Sequence, residues 1–231
     1  NIYFYAVGGG IPNEVQGLGD VKTGLGIEKL KEYWKLFGLG EKTEIDLSGE
    51  NNGFLPDPQE KEIVKNDIWR LGDTYNVTIG QGDLLVTPIQ LINYVSAIAN
   101  GGKLYKPFFV KEIKNENGNM VSSRGPELLK DFSYLNEEIK EAQKGMEDAV
   151  NKWYGTAYSL ANLSVSVAAK TGSAQVSNNT KTNAFFVGYA PAENPQIAIL
   201  VLIENAREGS LNAVPVGKDV LDWYYWNRLV R

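Results

Sequence analysis

SVSVAAKTGSAQV, residues 164–176, joins an apolar run to a lysine, a threonine, a glycine and a serine in series. Two more apolar runs follow along the chain, TNAFFVGYA at 182–190 and NPQIAILVLIE at 194–204. Short apolar runs separated by polar and turn-forming residues are typical of neighbouring antiparallel strands. The sequence therefore predicts three strands, with the KTGS stretch, residues 170–173, near the polar end of the first.

Helical patterns surround these strands. GIEKLKEYWKLFGLG at 26–40 spaces its apolar residues for a helix and ends in glycine, and TPIQLINYVSAIANGG at 87–102 begins with Thr-Pro and ends in two glycines. A third helix is predicted for 137–154, after Asn136. A final helix is predicted from about residue 216 to the end, with one face formed by Val216, Val220, Trp223 and Val230. Helices followed by antiparallel strands predict an α+β fold, an antiparallel sheet covered by helices.

Two regions have weaker patterns. Residues 46–75 contain several prolines and glycines and are predicted to form a long irregular segment on the surface. PFFVKEI at 107–113 and NMVS at 119–122 flank a turn and predict a two-stranded hairpin. No linker-like boundary divides the chain, whose length suits one large domain or two small ones.

Composition excludes several classes of function. The 231 residues are 43% apolar and 22% charged, as in a soluble globular protein, and the net charge of −5 includes no basic cluster that would bind nucleic acid. Histidine and cysteine are both absent, which excludes thiol chemistry and every Ser-His-Asp mechanism. The same absence argues against a zinc site, so we expect no metal and no cofactor. The longest apolar run, IAILVLI at 197–203, is too short to span a bilayer.

The KTGS stretch has the chemistry of a site for an anionic, acylating substrate. On a strand, Thr171 and Ser173 point the same way, so their hydroxyls can hold a carboxylate while the Ser173 N–H donates to a developing oxyanion. Lys170 adds positive charge, and Gly172 lets an extended substrate lie against the strand.

Further stretches occur in a fixed order along the chain, among them NIYFYAVGGG, FGLGEKTEIDLSGENNGFLP, LGDTYNVTIGQGDLLVTPIQ, GTA, AAKTGSAQ and FFVGYAPAENPQIAILVLIE. In this order they resemble the transpeptidase domain of class B penicillin-binding proteins, most closely the elongation-type penicillin-binding protein 2 group. The resemblance implies the penicillin-recognising serine transpeptidase, or β-lactamase-like, fold, incomplete at the N-terminus. Residues 1–231 would form the C-terminal two-thirds of that domain.

The family has three active-site motifs, S-x-x-K, S-x-N and K-T-G-[ST]. No serine of this sequence stands in S-x-x-K, and a formal S-x-N at 177–179 is expected to be a hairpin turn. Asn1, followed by IYFY, matches the last residue of the true S-x-N, so the nucleophilic serine, its lysine and the S-x-N serine are expected before residue 1. The fragment alone is therefore expected to be inactive.

The resemblance assigns roles to five residues. Asn1, Lys170 and Ser173 would be catalytic, and Lys170, Thr171, Gly172 and Ser173 would bind substrate. Gln81 is a further substrate-binding candidate, because the glycines on both sides of it let the main chain approach a substrate closely; the alternative is that the turn GQG only connects to the helix at Thr87. We expect the KTGS stretch on an exposed strand edge facing a groove, with Asn1 nearby and the Gln81 turn bordering the same groove.

The implied activity is that of a peptidoglycan D,D-transpeptidase, which cross-links stem peptides through an acyl-serine intermediate in cell-wall synthesis. β-Lactams would acylate the same serine. Elongation-machinery membrane proteins are the implied partners, and the implied location is the extracytoplasmic face of the bacterial cell membrane, with an anchor outside this chain. Two alternatives remain open, a penicillin-recognising sensor or scaffold without turnover and a serine β-lactamase. The long segment at 46–75 counts against the β-lactamase.

Overall fold

The computed structural model describes residues 1–11, 24–176, 180–206 and 212–230. The chain divides into two compact units. One consists of Asn1–Lys42 and Asn51–Thr87, and the other of Thr43–Glu50 and Pro88–Arg231. Because the two units alternate along the chain, no single stretch of linker-like composition separates them.

The first unit is helical in its described residues. Its helices are α1 (Ile2–Gly9), α2 (Gly26–Leu36), α3 (Pro58–Lys65) and α4 (Leu71–Thr78). Helix α2 confirms the prediction for GIEKLKEYWKLFGLG, and Gly38 follows its end with a φ of 81°. In the left-handed region glycine has no steric penalty, which is why the helix stops there.

Helices α3 and α4 show that the irregular segment predicted for 46–75 was wrong in its second half. The Asp57 carboxylate accepts the backbone N–H groups of Gln59 and Glu60, and Pro58 occupies the first helical position. This combination satisfies donors that a helix start leaves exposed and fixes a helical φ. The prolines and glycines that argued for a loop are therefore, in part, helix-start signals.

Glycines let α1 approach α4 closely. A methyl group added to Gly8 would lie 1.7 Å from Thr78 Cγ2, and one added to Gly9 would lie 2.4 Å from Tyr75 Cε1. The Tyr75 hydroxyl also donates to the Gly10 carbonyl at 2.9 Å. The GGG stretch is thus a helix-packing surface in this unit.

The second unit is α+β. Its helices are α5 (Pro88–Ala99), α6 (Asn136–Asn151) and α7 (Ala213–Tyr224), the last continuing into a π-helical turn, Tyr225–Leu229. Two small antiparallel pairs are β1 (Lys103–Tyr105) with β4 (Leu128–Asp131) and β2 (Glu112–Lys114) with β3 (Met120–Ser123). The β2–β3 pair confirms the predicted hairpin, whereas β1 and β4 were not predicted. Among the described residues no helix is long and apolar enough to cross a bilayer.

The main sheet has the order β5 (Ala168–Val176), β6 (Lys181–Ala190), β7 (Ile197–Ile203), and both pairings are antiparallel. Both faces are covered. Phe186 is fully buried in a cluster with residues of α7, and Tyr189 lies in a second cluster with residues of α5 and α6. The predicted α+β fold, with its three consecutive strands and covering helices, is confirmed.

Helix α7 forms where it was predicted, but it buries a different face. Its buried residues are Ala213, Val214, Gly217 and Leu221, while the predicted face is exposed, with Trp223 54% and Val230 54% accessible. A methyl group on Gly217 would lie 2.3 Å from the Phe186 ring. Small residues bring the helix backbone against the sheet, so the bulky residues point outward.

Candidate active site

The KTGS stretch lies in the middle of β5, an edge strand of the main sheet as described. Residues 170–173 pair in turn with Val187, Phe186, Phe185 and Ala184 of β6, without a bulge. The other side of β5 has no strand partner in the three-stranded order. The end of the sheet is the expected position for a strand that receives an extended substrate.

Alternation along β5 gives the four residues different environments. Thr171 is only 6% exposed, Ser173 is exposed, and the two share one face of the sheet. Lys170 is exposed on the opposite face and Gly172 is partly buried there. The two hydroxyls therefore follow one another along one face, with Thr171 at its buried end.

Lys170 folds back onto its own strand. Its ammonium group donates to the Thr171 carbonyl oxygen. Although the side chain as a whole is exposed, desolvation of the ammonium by the surrounding protein lowers the pKa of Lys170. A lysine whose charge is incompletely solvated is well suited to attract an anion.

The same contact indicates which way the backbone points. In a strand, the N–H and C=O of one residue lie on one side, and those of successive residues alternate. The Thr171 carbonyl accepts the Lys170 ammonium and so faces the edge away from β6. Ser173, two residues on, directs its N–H and C=O to that same edge, where an oxyanion would bind.

Gly172 is not required by the packing of the protein itself. A methyl group added there would meet only Phe185, at an ordinary contact distance of 3.5 Å, and Gly172 is not among the residues with positive φ. The fold therefore leaves room for a side chain at this position. Because glycine has no side chain, a substrate backbone could approach the strand closely at this position.

Sequence reasoning missed Thr156. Its hydroxyl oxygen lies 2.8 Å from the Thr171 hydroxyl, which donates to it. Thr156 belongs to the GTA stretch, which contributed to the family resemblance but received no role. The two threonines are 15 residues apart in sequence, so only the tertiary structure reveals their contact.

The GTA stretch forms a tight turn after α6. The Ala157 N–H donates to the Ala149 carbonyl at 3.0 Å, and Ala157 is fully buried. A methyl group on Gly155 would lie 2.2 Å from that same carbonyl oxygen, so only glycine fits between the helix end and the turn. Thr156 is thereby fixed beside β5.

The other two predicted site residues, Asn1 and Gln81, belong to the first unit. Asn1 is exposed, and its carbonyl accepts the Tyr5 N–H at the start of α1. Gln81 lies in a turn between Gly80 and Gly82, whose φ values are 76° and 74°, and its N–H donates to the Asn76 carbonyl at 2.9 Å. Their proximity to the KTGS stretch remains a prediction, and the turn predicted at 177–179 lies outside the described residues.

Within the described residues, no group of three or more histidine, cysteine, aspartate or glutamate side chains is placed to hold a metal ion. The KTGS stretch itself presents hydroxyls, one ammonium group and strand amides. Together with the α+β fold, this arrangement defines a class, the penicillin-recognising serine transpeptidases.

Comparison with known proteins identifies the family. Residues 1–222 match the family described as the penicillin binding protein transpeptidase domain. The chain is 34% identical over 225 residues to the peptidoglycan D,D-transpeptidase MrdA of Haemophilus influenzae, covering 90% of this chain and 34% of that protein. This chain belongs to the penicillin-binding protein transpeptidase family, in its MrdA or penicillin-binding protein 2 group.

Solved structures agree with this assignment. Pseudomonas aeruginosa PBP2 in complex with WCK 5153 is similar with a TM-score of 0.76 and 32% identity, over 98% of this chain and 47% of that one. Helicobacter pylori PBP2 in complex with MreC gives the same score and identity, over 98% of this chain and 38% of that one. The chain spans about a third of the length of the curated relatives it matches.

Proposed function

We propose that this chain forms the substrate-binding part of a peptidoglycan D,D-transpeptidase that cross-links stem peptides in cell-wall synthesis. The observation that carries the proposal is the KTGS stretch on the end strand of the described sheet, in a chain that belongs to the penicillin-binding transpeptidase family. The names of its relatives support the same activity.

The residues of β5 would bind the D-Ala-D-Ala end of the donor stem peptide. The Thr171 and Ser173 hydroxyls would hold the terminal carboxylate, the Lys170 ammonium at the strand edge would add positive charge, and the substrate backbone would lie over Gly172. The Ser173 N–H would stabilise the oxyanion formed when a serine oxygen adds to the penultimate carbonyl. Asn1 and Gln81 would border the same groove.

The acylated serine would come from outside these 231 residues, because none of their serines stands in S-x-x-K. Its oxygen would form an ester with the penultimate D-alanine as the peptide bond breaks, and the terminal D-alanine would leave with the proton. The amine of an acceptor stem peptide would then attack the ester, form the cross-link and release the serine.

Partners and location follow as parts of the same proposal. One relative, the Helicobacter pylori protein, was solved with MreC, which favours a membrane protein of the elongation machinery as a partner here. Such a protein would act at the extracytoplasmic face of the bacterial cell membrane.

Labelling with a fluorescent penicillin tests the proposal. We expect the protein as its host makes it to be labelled at a serine of an S-x-x-K motif, and the isolated 231-residue chain to remain unlabelled. Labelling of the isolated chain that disappears when one of its own serines is changed to alanine would contradict the assignment of the nucleophile. An unlabelled host protein would favour the sensor or scaffold, and multiple turnover of the penicillin would favour a β-lactamase.

One substitution, followed by two measurements, tests the binding role of β5. Gly172→Ala adds a methyl group that the fold accommodates, so the unfolding temperature should not fall, while penicillin labelling should be strongly reduced. Full labelling of a stable Gly172→Ala protein would show that no substrate lies against this strand.

A further inference from the structure

The pair of hydroxyls formed by Thr156 and Thr171 goes beyond the family motifs. Thr171 is a buried residue, and its hydroxyl donates its one hydrogen to Thr156, 2.8 Å away. A hydroxyl has one hydrogen to donate and two lone pairs to accept. In this arrangement Thr171 therefore has no hydrogen left to give to a substrate carboxylate.

Thr156 is held firmly where it makes this contact. Gly155 leaves no space between the turn and the end of α6, and the buried Ala157 is tied by its N–H to the Ala149 carbonyl. The Tyr158 N–H donates back to the Gly155 carbonyl at 3.2 Å. A hydroxyl fixed by so short and closed a turn can set the orientation of its partner.

We propose that Thr156 is a positioning residue that arms Thr171 for carboxylate binding. When the carboxylate arrives, both hydroxyls rotate about their C–O bonds and the hydrogen bond between them reverses. Thr156 then donates to Thr171, and Thr171 donates to the carboxylate. No proton changes its oxygen, and the two bonds in series strengthen one another next to the anion.

This inference rests on the proposed function, because it assumes that the substrate presents a carboxylate to β5. The proposed role of Thr156 differs from that of a simple packing residue in one measurable respect. Packing would affect all ligands of the site alike, whereas the reversed hydrogen bond contributes most to a ligand with a negative charge at that position, because hydrogen bonds to an ionised acceptor are the stronger ones.

Two peptides make the distinction, a stem-peptide analogue ending in D-Ala-D-Ala and the same peptide ending in the neutral carboxamide. Binding of each is measured by calorimetry with the protein as its host makes it. We expect Thr156→Val to weaken binding of the acid about two- to fourfold, because the two hydrogen bonds in series no longer strengthen one another next to the charge, and to weaken binding of the amide by less. Thr156→Ser should restore acid binding.

The matched control is Thr182→Val, which removes a hydroxyl from the same sheet on β6, opposite Gln175. It should bind both peptides like the wild type, and the unfolding temperature of every variant is measured alongside. Equal loss of acid and amide binding in Thr156→Val, or unchanged acid binding, overturns the inference. If the wild-type protein binds neither peptide, the proposed function itself is wrong and the inference falls with it.

Discussion

The turn that carries Thr156 depends on Gly155, and Gly155→Ala is the sharpest test of that geometry. The added methyl group would lie 2.2 Å from the Ala149 carbonyl oxygen and 2.9 Å from the Asp148 oxygen. Both obstacles are backbone atoms, so no side-chain rotation relieves the overlap. The turn must move by about 0.8 Å before the distance from the new methyl group to the Ala149 oxygen reaches 3.0 Å, the shortest that real contacts of this kind show.

The cost of that movement follows from the contacts of the turn. The Ala149 carbonyl also accepts the Ala157 N–H at 3.0 Å, and a displaced turn weakens that hydrogen bond, which is worth about 1 kcal/mol. Overpacking adds about 1–2 kcal/mol. A loss of about 2–3 kcal/mol in the free energy of unfolding corresponds to a fall of about 4–12 °C in the unfolding temperature.

Thermal unfolding followed by circular dichroism measures the effect, with Gly145→Ala as the control. Gly145 lies exposed in the interior of α6, and a methyl group there would meet nothing within 4 Å. Alanine is the better helix former by about 1 kcal/mol, so this variant should unfold at a higher temperature than the wild type. If Gly155→Ala unfolds at or above the wild-type temperature, the tight turn described here is incorrect.

Three further changes test other parts of the structure. Asp57→Ala should lower the free energy of unfolding by about 1 kcal/mol at pH 7, because the N-terminal cap of α3 is lost. The hydrogen bond from Lys31 lowers the pKa of Asp57, so the difference in stability between wild type and variant in urea unfolding should shrink only as the pH falls below about 3.9. Burial lowers the pKa of Lys170, so Lys170→Gln should be at least as stable as the wild type at pH 7, and the free energy of unfolding of the wild type should rise relative to that of the variant as the pH rises toward about 10.4. A wild type that is more stable than the variant at pH 7 and loses this difference at alkaline pH would contradict the prediction. Leu221→Ala should lose about 2–5 kcal/mol in chemical denaturation and Trp223→Ala less than about 0.5 kcal/mol; similar losses would mean that the faces of α7 are misassigned.

Much of the second unit could be predicted because its elements have strong local signals. The three main strands are runs of apolar residues with polar breaks, and α5 begins with Thr-Pro and ends in two glycines. Local patterns of this kind need no knowledge of distant residues. The same local patterns predicted that the KTGS stretch lies on a strand.

The errors have physical causes. α3 begins with a proline after Asp57, and the same residue types that cap helices also mark loops, so the pattern alone did not distinguish them. In α7, Gly217 and Ala213 make the buried face, because the helix lies close to Phe186. An amphipathicity argument looks for large apolar residues and so selects the wrong side.

Thr156 was missed for a different reason. Its importance lies in a contact with Thr171 that depends on where α6 ends and on the shape of a three-residue turn. A hydroxyl in a short polar stretch has no distinguishing pattern in sequence. The positions of Asn1 and Gln81 beside the KTGS stretch remain predictions.

The uninterrupted pairing of β5 with β6 has a consequence for how this protein can vary. Nine successive residues of β5 are in register from Ala168 to Val176, so each position has a fixed parity, inward or outward. Inserting or deleting one residue ahead of Lys170 would exchange the environments of Thr171 and Gly172 and turn every later side chain to the other face. Among variants selected for function, substitutions in this stretch should therefore be far more frequent than insertions or deletions, because a substitution keeps the register of β5 with β6 and a change of length does not.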